Sequence, residues 1–263
     1  MIVRNVMVGS DPELFIVNTK TGKVVSSIGL IPGKKGEAYR TPEMPEGCGL
    51  QIDNILAEFN IPPAKTIDEF LISIEYMKTF IREYVKNVNP DLDIMCASSA
   101  MVDTDQLQSD EAKEFGCCPD YNAYTEDVNV APEGTKTNMR STGCHIHVSY
   151  DNPNTAASLL LIKYLDMYLG IPFVVLDPDK KRRELYGKAG CFRLCKYGFE
   201  YRTLGGYAIS SQELIRFMWK GVMKAIDAFN NADVLIDSKT VQYVINNSDV
   251  EMAKELIDKY NLM

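Results

Sequence analysis

Apolar and polar positions alternate along residues 141–150, STGCHIHVSY, where Ile146, Val148 and Tyr150 interleave with His145, His147 and Ser149. Period-two alternation marks a strand with one buried face. His145, His147 and Ser149 then share one face and the apolar residues the other. Two strand rises would hold the imidazoles ~7 Å apart, too far for one metal without bending, but suited to adjacent tasks on one wall. Residues 2–8 and 14–17 read as a strand pair or one interrupted strand. NTKTGKVV (18–25) reads as a hairpin turned at Gly22. Residues 29–47, rich in Gly, Pro and Lys, read as loop, and residues 49–63 as extended chain ending at Pro62–Pro63.

The period changes at residue 66. Thr66 and Glu69 form a capping box, and Phe70, Ile74, Met77, Ile81 and Val85 recur at helical spacing. Residues 103–140 are polar and turn-rich, a loop of a length usually reserved for function or disorder. A helix is expected over about 155–169, ending at Gly170. Residues 182–204 begin as a glycine-interrupted loop and end as a strand. Ser210 and Glu213 are expected to cap a helix reaching about Ala232, and Ser248 and Glu251 the last one. No repeat, low-complexity tract or linker interrupts the chain. The expectation is one α+β domain over residues 1–263, in which strands carry the polar constellations and helices carry apolar core stripes.

Composition narrows the function. The 263 residues are 46% hydrophobic and 24% charged, an ordinary globular balance. A net charge of −8 argues against a broad grip on nucleic acid. The longest apolar runs, Leu159–Leu169 and Ile171–Leu176, are broken by Lys163, Asp166 and Pro172 and fall short of a membrane span. The N-terminus lacks a signal-peptide layout. Seven cysteines with no C-x-x-C pair fit reduced thiols in a cytoplasm better than a zinc site or a disulfide framework.

Acids recur where strands are expected, although acids are depleted in strands. GSDPELF places Asp11 and Glu13 on one face. QIDNILAEF offers Asp53 and Glu58, which share a face only if a bulge or turn separates them. FEYRTL offers Glu200 with Arg202. Two carboxylates 4 Å apart repel by about 4 kcal/mol at an effective dielectric near 20, so neighbouring strands of this kind call for a cation. Oxygen ligands with an imidazole favour Mg²⁺ or Mn²⁺ over zinc. Arg182, Arg183, Arg193 and Arg202 crowd one stretch with Gly187, Gly190 and Gly198. Guanidinium forks bind phosphate, and glycines let backbone approach an anion. Acids for cations and arginines for phosphate make a phosphoryl-transfer composition. GKKG (33–36) lacks the spacing of a phosphate-binding Walker loop.

Four motifs in order, GSDPELF, D-N-x-x-x-E-F-N-x-P-P, R-S-T-G-C-H-I-H-V-S and R-x-x-x-Y-G-x-E-Y-R-T-L, span about residues 8–205. Together they resemble the glutamine synthetase/γ-glutamylcysteine ligase superfamily, and more closely its phage-type COOH–NH₂ ligases (amidoligases). The helical part at about 206–263 adds nothing to the resemblance. It implies a curved antiparallel sheet backed by helices, with the active site on the concave face. It implies an ATP- and Mg²⁺-dependent (or Mn²⁺-dependent) ligase that activates a carboxylate as an acyl phosphate and joins it to an amine. The matching metal ligands are Asp11, Glu13, Asp53, Glu58, His145 and Glu200. His147, Arg182, Arg193 and Arg202 match phosphate-side groups, with His147, Arg193 and Arg202 acting in catalysis and Ser149 near the base. The roles of the two histidines are interchangeable in this reading. Asp11 stands where glutamine synthetase more usually has a glutamate, which shortens one ligand arm. The implied partners are small-molecule or peptide carboxylates and amines in the cytoplasm of a bacterium or phage-infected cell, with oligomeric state open. Residues 103–140, including Cys117, Cys118, Asp120 and Tyr121, are the candidate acceptor-recognition region. A guanidino-kinase-like phosphotransferase and a non-catalytic nucleotide or metal binder are the alternatives.

Overall fold

The computed structural model describes residues 2–113, 120–129 and 137–263. The chain opens with the strand β1 (Met7–Asn18), followed by β2 (Lys23–Val25), β3 (Gly49–Asp53) and β4 (Leu56–Ala64). Helix α1 (Ile67–Val88) leads to β5 (Leu92–Met95) and β6 (Ser99–Met101). A short helix α2 (Asp110–Lys113), β7 (Tyr121–Asn122), β8 (Met139–Ser141) and β9 (Cys144–Ser149) come next. Helices α3 (Thr155–Leu165), α4 (Ile171–Leu176) and α5 (Arg182–Leu185) precede the hairpin of β10 (Cys191–Cys195) and β11 (Gly198–Tyr201). Helices α6 (Gln212–Asn230), α7 (Ser238–Asn247) and α8 (Val250–Tyr260) close the chain.

Among the described residues, nine strands form one antiparallel sheet in the order β3-β4-β1-β9-β11-β10-β7, with β2 and β5 both paired to β1. The fold is thus α+β. One continuous β1 replaces the interrupted strand expected from sequence. Asp11–Pro12 lies inside it, although proline has no N–H to give the ladder, and the N-terminal half of β1 is paired on both sides, with β4 and β9. One sheet face is apolar: Leu14, Ala57, Phe59, Ile146, Val148, Phe199 and Tyr201 are buried there with the helices. Helix α1 packs on β4 and β5, α6 on α1 and α3, and α7 and α8 on α4. The Thr66–Glu69 capping box is present. The buried stripe of α1 includes the five expected residues plus Leu71 and the aliphatic stem of Lys78.

Several helix boundaries differ from the sequence expectation. The helix beginning at Thr155 does not stop at Gly170 but passes through a π turn, Asp166–Gly170, into α4. Buried Asp166 faces the sheet within that turn and accepts hydrogen bonds from Tyr201 Oη (2.7 Å), Gly190 N (2.7 Å) and Tyr124 Oη (3.0 Å). Gly170 therefore serves close packing against Ile245 and Tyr201 rather than termination. Although the 155–176 helix has the length and hydropathy of a membrane span, 67% of its most apolar stretch is buried within the fold, as in a core helix. Ser211, not Ser210, caps α6, and Asp249, not Ser248, caps α8. Ser248 instead ends α7 in a left-handed conformation, and α7 was missed as an element. The 182–190 stretch contains the short helix α5.

Candidate active site

The face of the sheet opposite the helices is polar, and strand register assembles it. Glu13 on β1 lies directly opposite Glu58 on β4, which lies opposite Gln51 on β3. Asp11 lies opposite His145 on β9. Gly9 lies opposite His147, His147 opposite Glu200 on β11, and Glu200 opposite Arg193 on β10. Paired residues and their i±2 neighbours share a face, so six adjacent strands present one band of chemistry. Asp53 joins it because Asn54, with φ of 60°, turns the chain between β3 and β4. This is the turn that the spacing of Asp53 and Glu58 demanded.

The two histidines converge on Asp11. His145 Nδ1 lies 3.2 Å from both Asp11 Oδ1 and Glu200 Oε1, and His147 Nε2 lies 3.1 Å from the same Asp11 oxygen. The two rings lean toward the Asp11 carboxylate between them, each presenting a ring nitrogen to one of its oxygens. Asp11 Oδ1, His145 Nδ1 and His147 Nε2 are buried and lack a hydrogen bond of normal geometry. Such orphaned atoms are costly unless something else satisfies them. Ligand atoms of Asp11, His147 and Glu200 lie within 4.8 Å of one another, and so do those of Glu13, Asp53 and Glu58. The donor chemistry of both groups fits a hard divalent cation. His145 stands beside the first group rather than within it.

Electrostatics follow from this crowding. Burial works to raise Asp11, but His145 and His147 outweigh it and hold the carboxyl well below the usual range. Burial pushes Glu58 well up, with the charges of Asp11, Glu13 and Asp53 adding to it, and Glu13 is raised in the same manner. Burial alone would lower His147, yet Asp11 and Glu200 raise it. Glu13 Oε2 accepts from Gly143 N at 2.6 Å, which ties β1 to the turn before β9. A Cβ at Gly143 would fall 2.3 Å from His145 Nε2, so only glycine lets that imidazole lie over the backbone.

The arginines divide. Arg202 Nη1 and Arg193 Nη1 both reach Glu200, Arg193 at 3.3 Å, and Arg202 Nε lies 3.4 Å from Asp120. Arg182 lines the cavity but directs Nε to Thr142 O and Nη1 to Thr203 O, both at 2.7 Å. Arg183 turns away to Ser248 Oγ and Phe173 O on the helical side. Protein groups already sit against the α-carbons of the glycines of this stretch. The space at Gly187 is filled by the Arg182 guanidinium, at Gly190 by Tyr124, and at Gly198 by the Val148 carbonyl.

Two cavities flank the cluster. One of about 50 Å³ is lined by Glu13, Asp53, Asp120, Arg140, His145 and Arg202, among others. The other, about 440 Å³, is bounded by Met7, Ile61, Pro63, His147, Ser149 and Tyr197, among others. Of the 103–140 candidates, Asp120 is buried in the first cavity and Tyr121 packs on Phe192; Cys117 and Cys118 lie outside the described residues. Sequence reasoning missed Arg140, Lys35 and Tyr197. Arg140 opens the R-S-T-G-C-H motif, and Lys35 sits in the GKKG stretch considered only as a Walker loop. Tyr197 belongs to the β10–β11 turn; its hydroxyl is 2.5 Å from His147 Nδ1 and its ring stacks on the imidazole.

Residues 121–234 match the family model described as Phage phiEco32-like COOH.NH2 ligase-type 2. No curated protein matches the chain. The matched segment contains His145, His147, Arg182, Arg193, Glu200 and Arg202, whereas the acids of β1, β3 and β4 lie outside it and join the site through the sheet. The match bears out the amidoligase resemblance carried by the motifs and supports a carboxylate–amine ligase.

Proposed function

With residues 121–234 matching the phage-type COOH–NH₂ ligases, we propose that this protein is an ATP- and Mg²⁺-dependent ligase that forms an amide or isopeptide bond through an acyl phosphate. The observation that carries the reading is the convergence of Asp11, both histidines and Glu200 beside the arginines on one sheet face. Asp11, His147 and Glu200, with His145 alongside, would hold one divalent cation. Bound there, such an ion would neutralise phosphate charge and orient the γ-phosphate. Arg193 and Arg202 supply guanidinium charge to the transferring phosphoryl group. Arg182, with its donors on backbone carbonyls, shapes the wall that holds Arg202.

The substrate carboxylate oxygen would attack the γ-phosphorus and release ADP. The amine nitrogen would then attack the carbonyl carbon, lose a proton and expel phosphate. The 440 Å³ cavity, with Ser149 and the Tyr197 ring, has room for the nucleoside, and the Asp120–Arg140 side offers charge for the amine or acid. The glutamine-synthetase-like curvature, a single 1–263 catalytic unit and a cytoplasmic setting belong to the same proposal.

Hydroxylamine trapping tests it. Incubated with Mg·ATP, hydroxylamine and a panel of amino-acid and peptide carboxylates, the ligase yields a hydroxamate with stoichiometric ADP, and Glu200→Gln yields neither. ADP formation with no hydroxamate would point to a guanidino-kinase-like phosphotransferase instead.

A further inference from the structure

The acid trio Glu13, Asp53 and Glu58 already has a cation beside it. Lys35 Nζ lies 2.7 Å from Asp53 Oδ1, its side chain half-exposed above a carboxyl that is almost fully buried. The backbone is built to deliver it. Lys34 and Glu37 exchange both backbone hydrogen bonds, at 3.2 and 2.8 Å, which closes a tight turn with Lys35 and Gly36 at its tip. Gly36 has φ of 81° and donates its N–H to Gln51 Oε1 at 3.2 Å. Gly33 has φ of 87°, and a Cβ there would fall 2.2 Å from Leu50 O, so the turn can press against β3 only through glycine. Tyr39 and Leu50 then exchange hydrogen bonds of 2.7 and 3.0 Å, adding the segment to the edge of the sheet.

We propose that Lys35 is the resident cation of the Glu13–Asp53–Glu58 trio, so that the metal-loaded protein carries one divalent ion, at Asp11, His147 and Glu200, and a lysine ammonium in place of a second. An ammonium brings three donors and no acceptor, which suits three carboxylates. Being tethered, it loses less freedom than an ion drawn from solution. A second divalent ion would have to displace it. In the other acid group the guanidiniums of Arg202 and Arg193 meet Glu200, on Oε1 and Oε2, while Asp11 Oδ1 faces the two imidazole nitrogens. This inference rests on reading that group as a divalent site.

Counting bound Mn²⁺ by electron paramagnetic resonance, with no nucleotide or substrate, tests it directly. Wild type is expected to bind one Mn²⁺. Lys35→Met, which keeps the length and removes the charge, gains a second ion bound at least tenfold more tightly than any second ion on wild type. Lys35→Arg restores the single-ion count, a rescue that a purely structural role for the turn would not give. Two ions on wild type, with no change in Lys35→Met, would overturn the proposal while leaving the divalent reading of the site intact. No Mn²⁺ on any of the three proteins would overturn both.

Discussion

Glu13 and Glu58 stand directly opposite each other on adjacent strands, an arrangement that a sheet selected for stability alone would avoid. Burial and neighbouring charge raise Glu58 well above its ordinary range. A group whose folded pKa is raised keeps its proton longer in the folded state, so its contribution to stability is lost as pH rises through that range. Glu58→Gln removes the liability. The metal-free variant should be more stable than wild type by up to about 1 kcal/mol, with a margin that is larger at pH 8 than at pH 6 by thermal denaturation. Tightest divalent binding should weaken less in Glu58→Gln than in Glu200→Gln. Tyr197 stands one residue removed from the proposed ion. Its hydroxyl holds His147 Nδ1 and thereby fixes which way Nε2 faces. Second-layer partners of metal-bound histidines are commonly worth about 10- to 100-fold in affinity. Tyr197→Phe should therefore lose about tenfold in Mn²⁺ affinity in a calorimetric titration while its melting temperature stays near that of wild type.

At the level of elements, strand register does the assembly, and this explains what could be read from sequence. The i, i+2 spacing of Asp11 with Glu13 and of His145 with His147 reports a shared face within one strand, which alternation encodes directly. Which strands lie side by side is a long-range choice, and only the common chemistry of the four segments hinted at it. Arg182 and the glycines misled for a local reason. A guanidinium near glycines reads equally well as a phosphate cradle or as a buried strut, and here Gly187 makes room for Arg182 itself. Gly187→Ala would place a Cβ 1.5 Å from Arg182 Nη1 at a residue with φ of 70°. It should destabilise the fold by more than about 1 kcal/mol, as read from the urea midpoint, and weaken nucleotide binding with it, because Arg182 pins the Thr142 and Thr203 carbonyls beside the site. The helix end misread at Gly170 has a tertiary cause. Tertiary packing carried the 155–176 helix past Gly170 through a π turn, whereas an isolated Gly signals a stop.

Across the whole molecule, one sheet serves two solvents. Its apolar face is closed by helices, and its polar face concentrates, among the described residues, seven carboxyl and imidazole groups at strand positions, where β propensity disfavours acids. That asymmetry was legible in composition and alternation. The turn that brings Lys35 over β3, and the segment that buries Asp120 beside Arg202, were not, because loop paths carry little periodic signal. The most direct test of the account is calorimetric titration of ATP into wild type, Asp11→Asn and Glu200→Gln, with and without Mg²⁺, which needs no knowledge of the acid or the amine. The account predicts ATP binding by wild type that requires Mg²⁺ and falls at least tenfold in both variants. A well-folded wild-type protein that binds no ATP in the presence of Mg²⁺ would contradict it.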